Sequence, residues 1–178
     1  VDERNIAWHA GKSKWKNFKN LNTNSIGIEL VNKGHKFGYQ GFTKPQIKQL
    51  ISLCRVLIKK YRINKKNILG HSDIAPLRKT DPGEKFPWFY ISKKGVGSFY
   101  KNIKNKEIKK VKKTIIRKYF FKNLHKIGYR YFFKNHKLNS DSKIVKAFQR
   151  RYRQNKVDGL IDSECLKISN YLLKNFKK

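Results

Sequence analysis

Between Thr43 and Tyr61 the apolar residues Ile47, Leu50, Ile51, Cys54, Leu57, Ile58 and Tyr61 recur at three- and four-residue spacing. That period brings them to one face of a helix. Thr43 and Gln46 stand in the capping-box pattern, where a hydroxyl and an amide each take a free backbone N–H, so the helix is predicted to begin there. Ahead of it, Ser25 to Val31 alternates: Ile26, Ile28 and Leu30 share one face, and Gly27, Glu29 and Val31 the other. Alternation of this kind predicts a strand, and the carboxylate of Glu29 must then look at water or at a site. Asn67 to His71 reads as a second short strand that delivers His71 at its end. Ser72 to Trp88, with three prolines and Gly83, reads as a structured loop. The fold class expected over residues 1–99 is therefore α/β, a mixed β-sheet flanked by helices.

From 100 to 113 the composition turns to Lys and Asn with few large apolar residues, and this stretch is read as a linker. Residues 114–178 suggest a small all-α domain of three helices. The first runs from Thr114 to Ile127 with Ile115, Ile116, Tyr119, Phe120 and Leu124. The second runs from Asp141 to Arg153 with Ile144, Val145, Phe148 and Tyr152. The third runs from Asp162 to Phe176 with Leu166, Ile168, Tyr171, Leu172 and Leu173. Asp141 and Asp162 are placed to cap the second and third.

The formal net charge is +33, with 44 Lys and Arg against 11 Asp and Glu. Single-sign surfaces steer anionic partners, so a nucleic acid is one candidate. The excess is mostly lysine and travels with many Asn and Ile, three residues with A/T-rich codons, so drift in base composition explains much of it. Polymers that bear carboxylates would be attracted as well, so charge alone does not identify the partner. No RNA-binding or zinc-finger signature appears. No run of 18 apolar residues would span a membrane, and no export signal precedes the first block. The chain begins at Val1 and contains no Met, which suggests a trimmed product, a fragment or an unusual start codon. Cys54 and Cys165 are far apart without metal-type spacing; Cys54, among Leu53, Leu57 and Ile58, reads as a buried free thiol.

The densest group of reactive side chains runs from His71 to Gly83. It holds an imidazole, the carboxylate of Asp81 ten residues on, and the cation of Lys79 two residues before that carboxylate. Histidine nitrogen and aspartate oxygen both bind Zn²⁺, although a catalytic zinc takes three protein ligands and a water. On spacing alone, a turn held by Asp side chains beside a satisfied histidine explains the same residues.

Three ordered blocks extend the pattern: Ala7-Trp8-His9-Ala10-Gly11 with Ser13 and Trp15; Asn22 with Ser25-Ile26-Gly27-Ile28-Glu29; and Gly70 through Gly83. Over roughly residues 5–90 the chain resembles the second amidase family, the zinc-dependent N-acetylmuramoyl-L-alanine amidases. Its layout is similar to the periplasmic members with a C-terminal peptidoglycan-binding domain. Ala147-Phe148-Gln149-Arg150-Arg151-Tyr152 followed by Val157-Asp158-Gly159 resembles the signature of that domain. The resemblance implies that His71 and Asp81 are zinc ligands, that Glu29 is the general base, and that Lys79 steadies the oxyanion. It implies a non-ligand place lining the cleft for His9, a candidate for substrate binding. His35, His125 and His136 read as surface histidines, and Trp8, Trp15 and Trp88 as core or loop anchors. The family's first zinc-ligand histidine lies on an early strand that would precede Val1, so the chain is expected to be N-terminally truncated and to offer two ligands of three.

Three functions follow. The first is a zinc hydrolase cutting the amide between N-acetylmuramic acid and L-alanine in peptidoglycan or anhydro-muropeptides, in the periplasm or cell envelope. The second is a non-catalytic peptidoglycan-binding remnant of such an enzyme. The third, favoured by charge alone, is a nucleic-acid binder.

Overall fold

A computed structural model describes residues 1–100, 112–133 and 138–176. Helix α1, Lys44–Tyr61, begins at the expected capping box: the Thr43 hydroxyl accepts the Gln46 N–H, and the Gln46 side chain takes the Thr43 N–H at 2.9 Å. Pro45 sits in the first turn, where its missing N–H has no helical partner to lose. Arg62, in the left-handed region, ends the helix. The inner face of α1 packs on Phe86, Trp88, Ile91 and Val96, around the short helix α3, Trp88–Lys93. Cys54 is buried on that face, as its neighbours suggested, and burial pushes its thiol pKa up.

The sheet departs from expectation. The described residues form one antiparallel pair, β1 (Lys14–Trp15) with β2 (Phe18–Lys19), Trp15 standing opposite Phe18. The expected strand at 25–31 joins no ladder among the described residues, and Ile26 and Ile28 stay 43% and 38% exposed. Alternation decides which side chains share a face, but a sheet forms only where a neighbour supplies facing N–H and C=O groups. Among the described residues the sheet is thus a two-stranded antiparallel one, and with the helices around it this is consistent with the expected α/β class.

His71 is also placed differently. A tight turn at Lys65–Asn67 leads through Ile68–Gly70 into a single helical turn, α2 (His71–Ile74), so His71 opens a helix and does not end a strand. Asp73 causes this: its carboxylate accepts the Gly70 N–H at 2.8 Å while its own N–H returns to the Gly70 carbonyl at 3.0 Å. The predicted loop therefore starts only after Ile74, and Ala75 to Pro87 runs in turns, with the Asp81–Pro82 peptide cis.

The last third holds α4 (Lys113–Ile127), α5 (Asp141–Tyr152) and α6 (Ser163–Phe176), each within one residue of its expected bounds. Asp162 caps α6 by accepting the Cys165 N–H at 2.9 Å. Asp141 does not cap α5: it is the first helical residue, after Ser140, and its carboxylate accepts the Leu138 N–H and pairs with Arg117. The expected linker lies outside the described residues from 101 to 111, as does His136.

Burial crosses the expected boundary between domains. Ala10, Trp15, Leu21, Ile74 and Ala75 share one apolar cluster with Phe120, Leu124, Phe148, Ile168 and Leu172 of the three helices. The Trp15 indole lies so close to Gly128 that a Cβ there would stand 2.4 Å from its ring, and the Lys16 N–H donates to the Gly128 carbonyl at 2.8 Å. Gly128, at φ +144°, is thus required both by its backbone and by the ring against it. Trp15 and Trp88 are buried as expected, but Trp8 is 93% exposed, because no apolar element among the described residues packs over the first nine.

Two substitutions test this packing by urea unfolding. Thr43→Ala removes one side of the capping box and should cost about 1 kcal/mol. Phe148→Ala empties a site in contact with Phe120, Tyr129 and Tyr152 and should cost roughly 3–5 kcal/mol.

Candidate active site

Three short polar chains bring the first two sequence blocks together. The Asn22 side-chain oxygen accepts the N–H groups of Ala10 and Gly11 at 2.7 and 3.1 Å. Ser13 donates to the Gly11 carbonyl and accepts the Leu21 N–H, and Ser25 donates to the Leu21 carbonyl. His9 is held at both ring nitrogens, by the Ala7 carbonyl and the Ser25 hydroxyl, each at 2.9 Å. Gly27 makes room for it: a Cβ there would stand 2.6–2.7 Å from the imidazole.

The carbonyl of Ala10, fixed by this network, meets the third block. His71 Nε2 lies 3.3 Å from it, and the Arg78 guanidinium donates to the same carbonyl and, at 3.1 Å, to that of Lys12. Gly11 is needed beside them, since a Cβ would come within 2.9 Å of Arg78. Arg78 also lies 3.3 Å from Nε2, and His71 Nδ1 faces the opposite way, 3.0 Å from Asp81 Oδ2. Contacts at both ring nitrogens fix the orientation of the His71 ring. The Ser72 N–H donates to the Asp81 carbonyl at 2.9 Å, so backbone and side chain both hold the two residues together. Burial works to raise the Asp81 pKa, but the hydrogen bond and charge of His71, with a smaller contribution from Lys79, outweigh it and hold the carboxyl below its usual range. Asp81 is thus ionised at neutral pH, the form that can hold a cation.

His71 and Asp81 stand on the wall of a cleft of about 740 Å³, which Glu29 and His9 also line. Glu29 is exposed there and has no hydrogen bond or ion pair among the described residues. Lys79 is half-buried on the turn between His71 and Asp81 and does not line the cleft. Among the described residues no third His, Cys, Asp or Glu joins the pair in a group able to hold a metal ion. The donor chemistry and the orientation of His71 fit zinc, and the number of donors is one short of a catalytic site. His35 is exposed, as expected of a surface histidine, and it pairs with Glu84 at 3.0 Å and stacks on Tyr39. His125 is half-buried on α4.

The sequence reading missed Arg78, and with it a second group of residues. The Asp73 carboxylate, buried beneath the His71 turn, accepts from Tyr129 at 2.5 Å and from Arg151 at 2.6 Å. Burial and the adjacent Asp73 charge push the Tyr129 pKa well up, so it remains a donor. Arg151 also donates to the Ile68 carbonyl at 2.8 Å and lies 4.0 Å over the Trp88 ring. One signal was present: Arg151 follows Ile144 by seven residues and Phe148 by three, which puts a charge on the apolar stripe of α5.

The sequence profile of the family described as N-acetylmuramoyl-L-alanine amidase matches residues 1–84. The N-acetylmuramoyl-L-alanine amidase AmiD of Escherichia coli is 42% identical over 104 residues, 56% of this chain and 38% of that protein. The 1,6-anhydro-N-acetylmuramyl-L-alanine amidase AmpD of the same organism is 45% identical over 82 residues, 46% of this chain and 43% of that protein. The chain thus spans about two fifths of the length of these curated relatives. A solved structure of Escherichia coli AmiD with the substrate anhydro-N-acetylmuramic acid-L-Ala-D-gamma-Glu-L-Lys superposes with a TM-score of 0.85 at 30% identity, covering 99% of this chain and 71% of that one. AmpDH3 of Pseudomonas aeruginosa superposes at 0.84, also at 30% identity, covering 100% and 72%. With that identity over more than two thirds of a solved relative, the chain belongs to the N-acetylmuramoyl-L-alanine amidase family.

Proposed function

We propose that the chain carries the zinc-dependent hydrolysis of the amide between N-acetylmuramic acid and L-alanine, with peptidoglycan fragments or anhydro-muropeptides as substrates. What supports this most is the approach of His71 Nδ1 and Asp81 Oδ2 to 3.0 Å on a cleft that Glu29 and His9 also line. His71 and Asp81 would hold the metal. Bound there, zinc would supply a Lewis acid that polarises the scissile carbonyl and lowers the pKa of water. Glu29, unpaired on the cleft wall, would take a proton from the attacking water and return it to the departing amine of L-alanine. Lys79 would meet the charge that builds on the carbonyl oxygen; its ammonium must turn toward the cleft to do so. His9, fixed by Ser25, would present its ring edge to the substrate.

The partners that go with this reading are in the bacterial cell envelope, and the periplasm is the compartment proposed. No helix among the described residues is long and apolar enough to cross a membrane. The three C-terminal helices would add peptidoglycan binding. Their signature has a clear local cause: the Gln149 amide bonds Asp158 and the Leu160 carbonyl at 2.9 Å and accepts the Gly159 N–H at 2.8 Å, with Gly159 at φ +79°. A second reading, a peptidoglycan binder without turnover, is favoured by the two-donor set. The nucleic-acid reading has only the charge behind it.

Calorimetric titration should show weak zinc binding that His71→Ala and Asp81→Ala abolish, and stem-peptide release should be slow and stop with a chelator. Glu29→Gln should lower turnover by about 10²–10⁴-fold with zinc binding kept. Release unaltered by a chelator would overturn the zinc reading, and a complete lack of release at saturating zinc would favour the binder. The whole chain should sediment with purified peptidoglycan and stay bound at about 0.5 M salt, where exposed charges are strongly screened. Loss of binding with salt, matched by equal binding to DNA, would remove the cell-wall role of the helices.

A further inference from the structure

The Asp73 carboxylate is nearly without solvent contact, and three donors from three segments meet on it: the Gly70 N–H, the Tyr129 hydroxyl after α4, and the Arg151 guanidinium from α5. The first of these donors is the backbone that sets the start of α2, where His71 stands. The second guanidinium nitrogen of Arg151 reaches the Ile68 carbonyl, two residues before Gly70. Arg151 therefore grips the segment on both sides of Gly70, through its carbonyl at 68 and its cap at 73. The next bond in line is Ser72 N–H to the Asp81 carbonyl, which joins α2 to the other half of the pair. Gly70 leaves the segment no slack: a Cβ there would stand 2.8 Å from Pro82 and 3.3 Å from the Trp88 ring over which Arg151 lies.

We propose that Arg151 is a positioning residue for the His71–Asp81 pair, acting through Asp73 and the Gly70–Ser72 backbone, so that the C-terminal helices complete the site and do not merely carry it to a polymer. The inference rests on the zinc reading for its functional meaning, and on contacts alone for the geometry. A planar two-pronged donor suits the task, since one prong holds Asp73 and the other Ile68; a lysine ammonium keeps the charge but cannot span both. That makes Arg151→Lys the informative change, because removing the charge altogether would strand a buried carboxylate and threaten the fold. Tyr129→Phe is the second variant, taking one hydrogen bond from Asp73 without touching a charge.

Two readouts on the full chain decide the matter: zinc affinity by calorimetry, and amide hydrogen exchange at Gly70 and Ser72 against Phe120 and Leu124 in α4. In Arg151→Lys, zinc affinity should fall about tenfold, as for other residues that orient a ligand from behind. The Gly70 and Ser72 amides should exchange faster while those of α4 keep their protection. Tyr129→Phe should move both readouts the same way by less, and decides alone if Arg151→Lys does not fold. Unchanged affinity and exchange at 70–72, or exchange that quickens equally in α4, would overturn the proposal by leaving Arg151 with general stability only. If His71→Ala does not alter zinc binding by the parent chain, the zinc reading falls, and the exchange measurement still decides whether Arg151 holds the turn.

Discussion

A buried carboxylate is costly unless it is paired and hydrogen-bonded, and Asp73 meets that demand with groups far apart in the sequence. Its charge is answered from α5, its second oxygen by Tyr129, two residues past α4, and a third bond comes from the backbone three residues before it. None of these groups can relax alone. Moving the helices would strand the carboxylate, and reshaping the turn at Gly70 would strand the guanidinium. The His71 turn is thus held by the packing of the last third as well as by its own local bonds.

A second constraint comes from the opposite side of the imidazole. Asn22, Ser13 and Ser25 spend their side chains on backbone groups of 10–25, and the result is one carbonyl, that of Ala10, aimed at His71 Nε2. The glycines at 11 and 27 are the empty spaces that let Arg78 and His9 lie where they do. The three sequence blocks are therefore one arrangement read in three places. A hydroxyl, an amide and a missing side chain each have a part in fixing a single ring.

Much of this was legible from residue order. The capping box at Thr43 and Gln46, the stripe of α1 and the stripes of α4, α5 and α6 are local patterns, and each appears where expected. The approach of His71 to Asp81 was legible only through the longer motif around them. Features governed by partners distant in sequence were not. Ser25–Val31 alternates correctly, yet forms no ladder, because pairing depends on a neighbour that alternation does not specify. His71 was expected at a strand end and opens a helical turn, because Asp73 closes a cap on a glycine, a residue with no side chain to announce it. Asp141 looked like a cap and is instead a partner for Arg117. The boundary near 113 marks the start of a helix correctly and says nothing of the apolar cluster that continues across it.

The three tryptophans divide the molecule's optical signal. Trp15 and Trp88 lie in apolar surroundings, one against the end of α4 and the other under Arg151, and their emission follows the integrity of the interior. Trp8 stands in water beside His9, where its indole emits to the red and is open to a dissolved quencher. Intrinsic fluorescence therefore separates into a component from the exposed segment ahead of His9 and one that senses the fold, with no label attached.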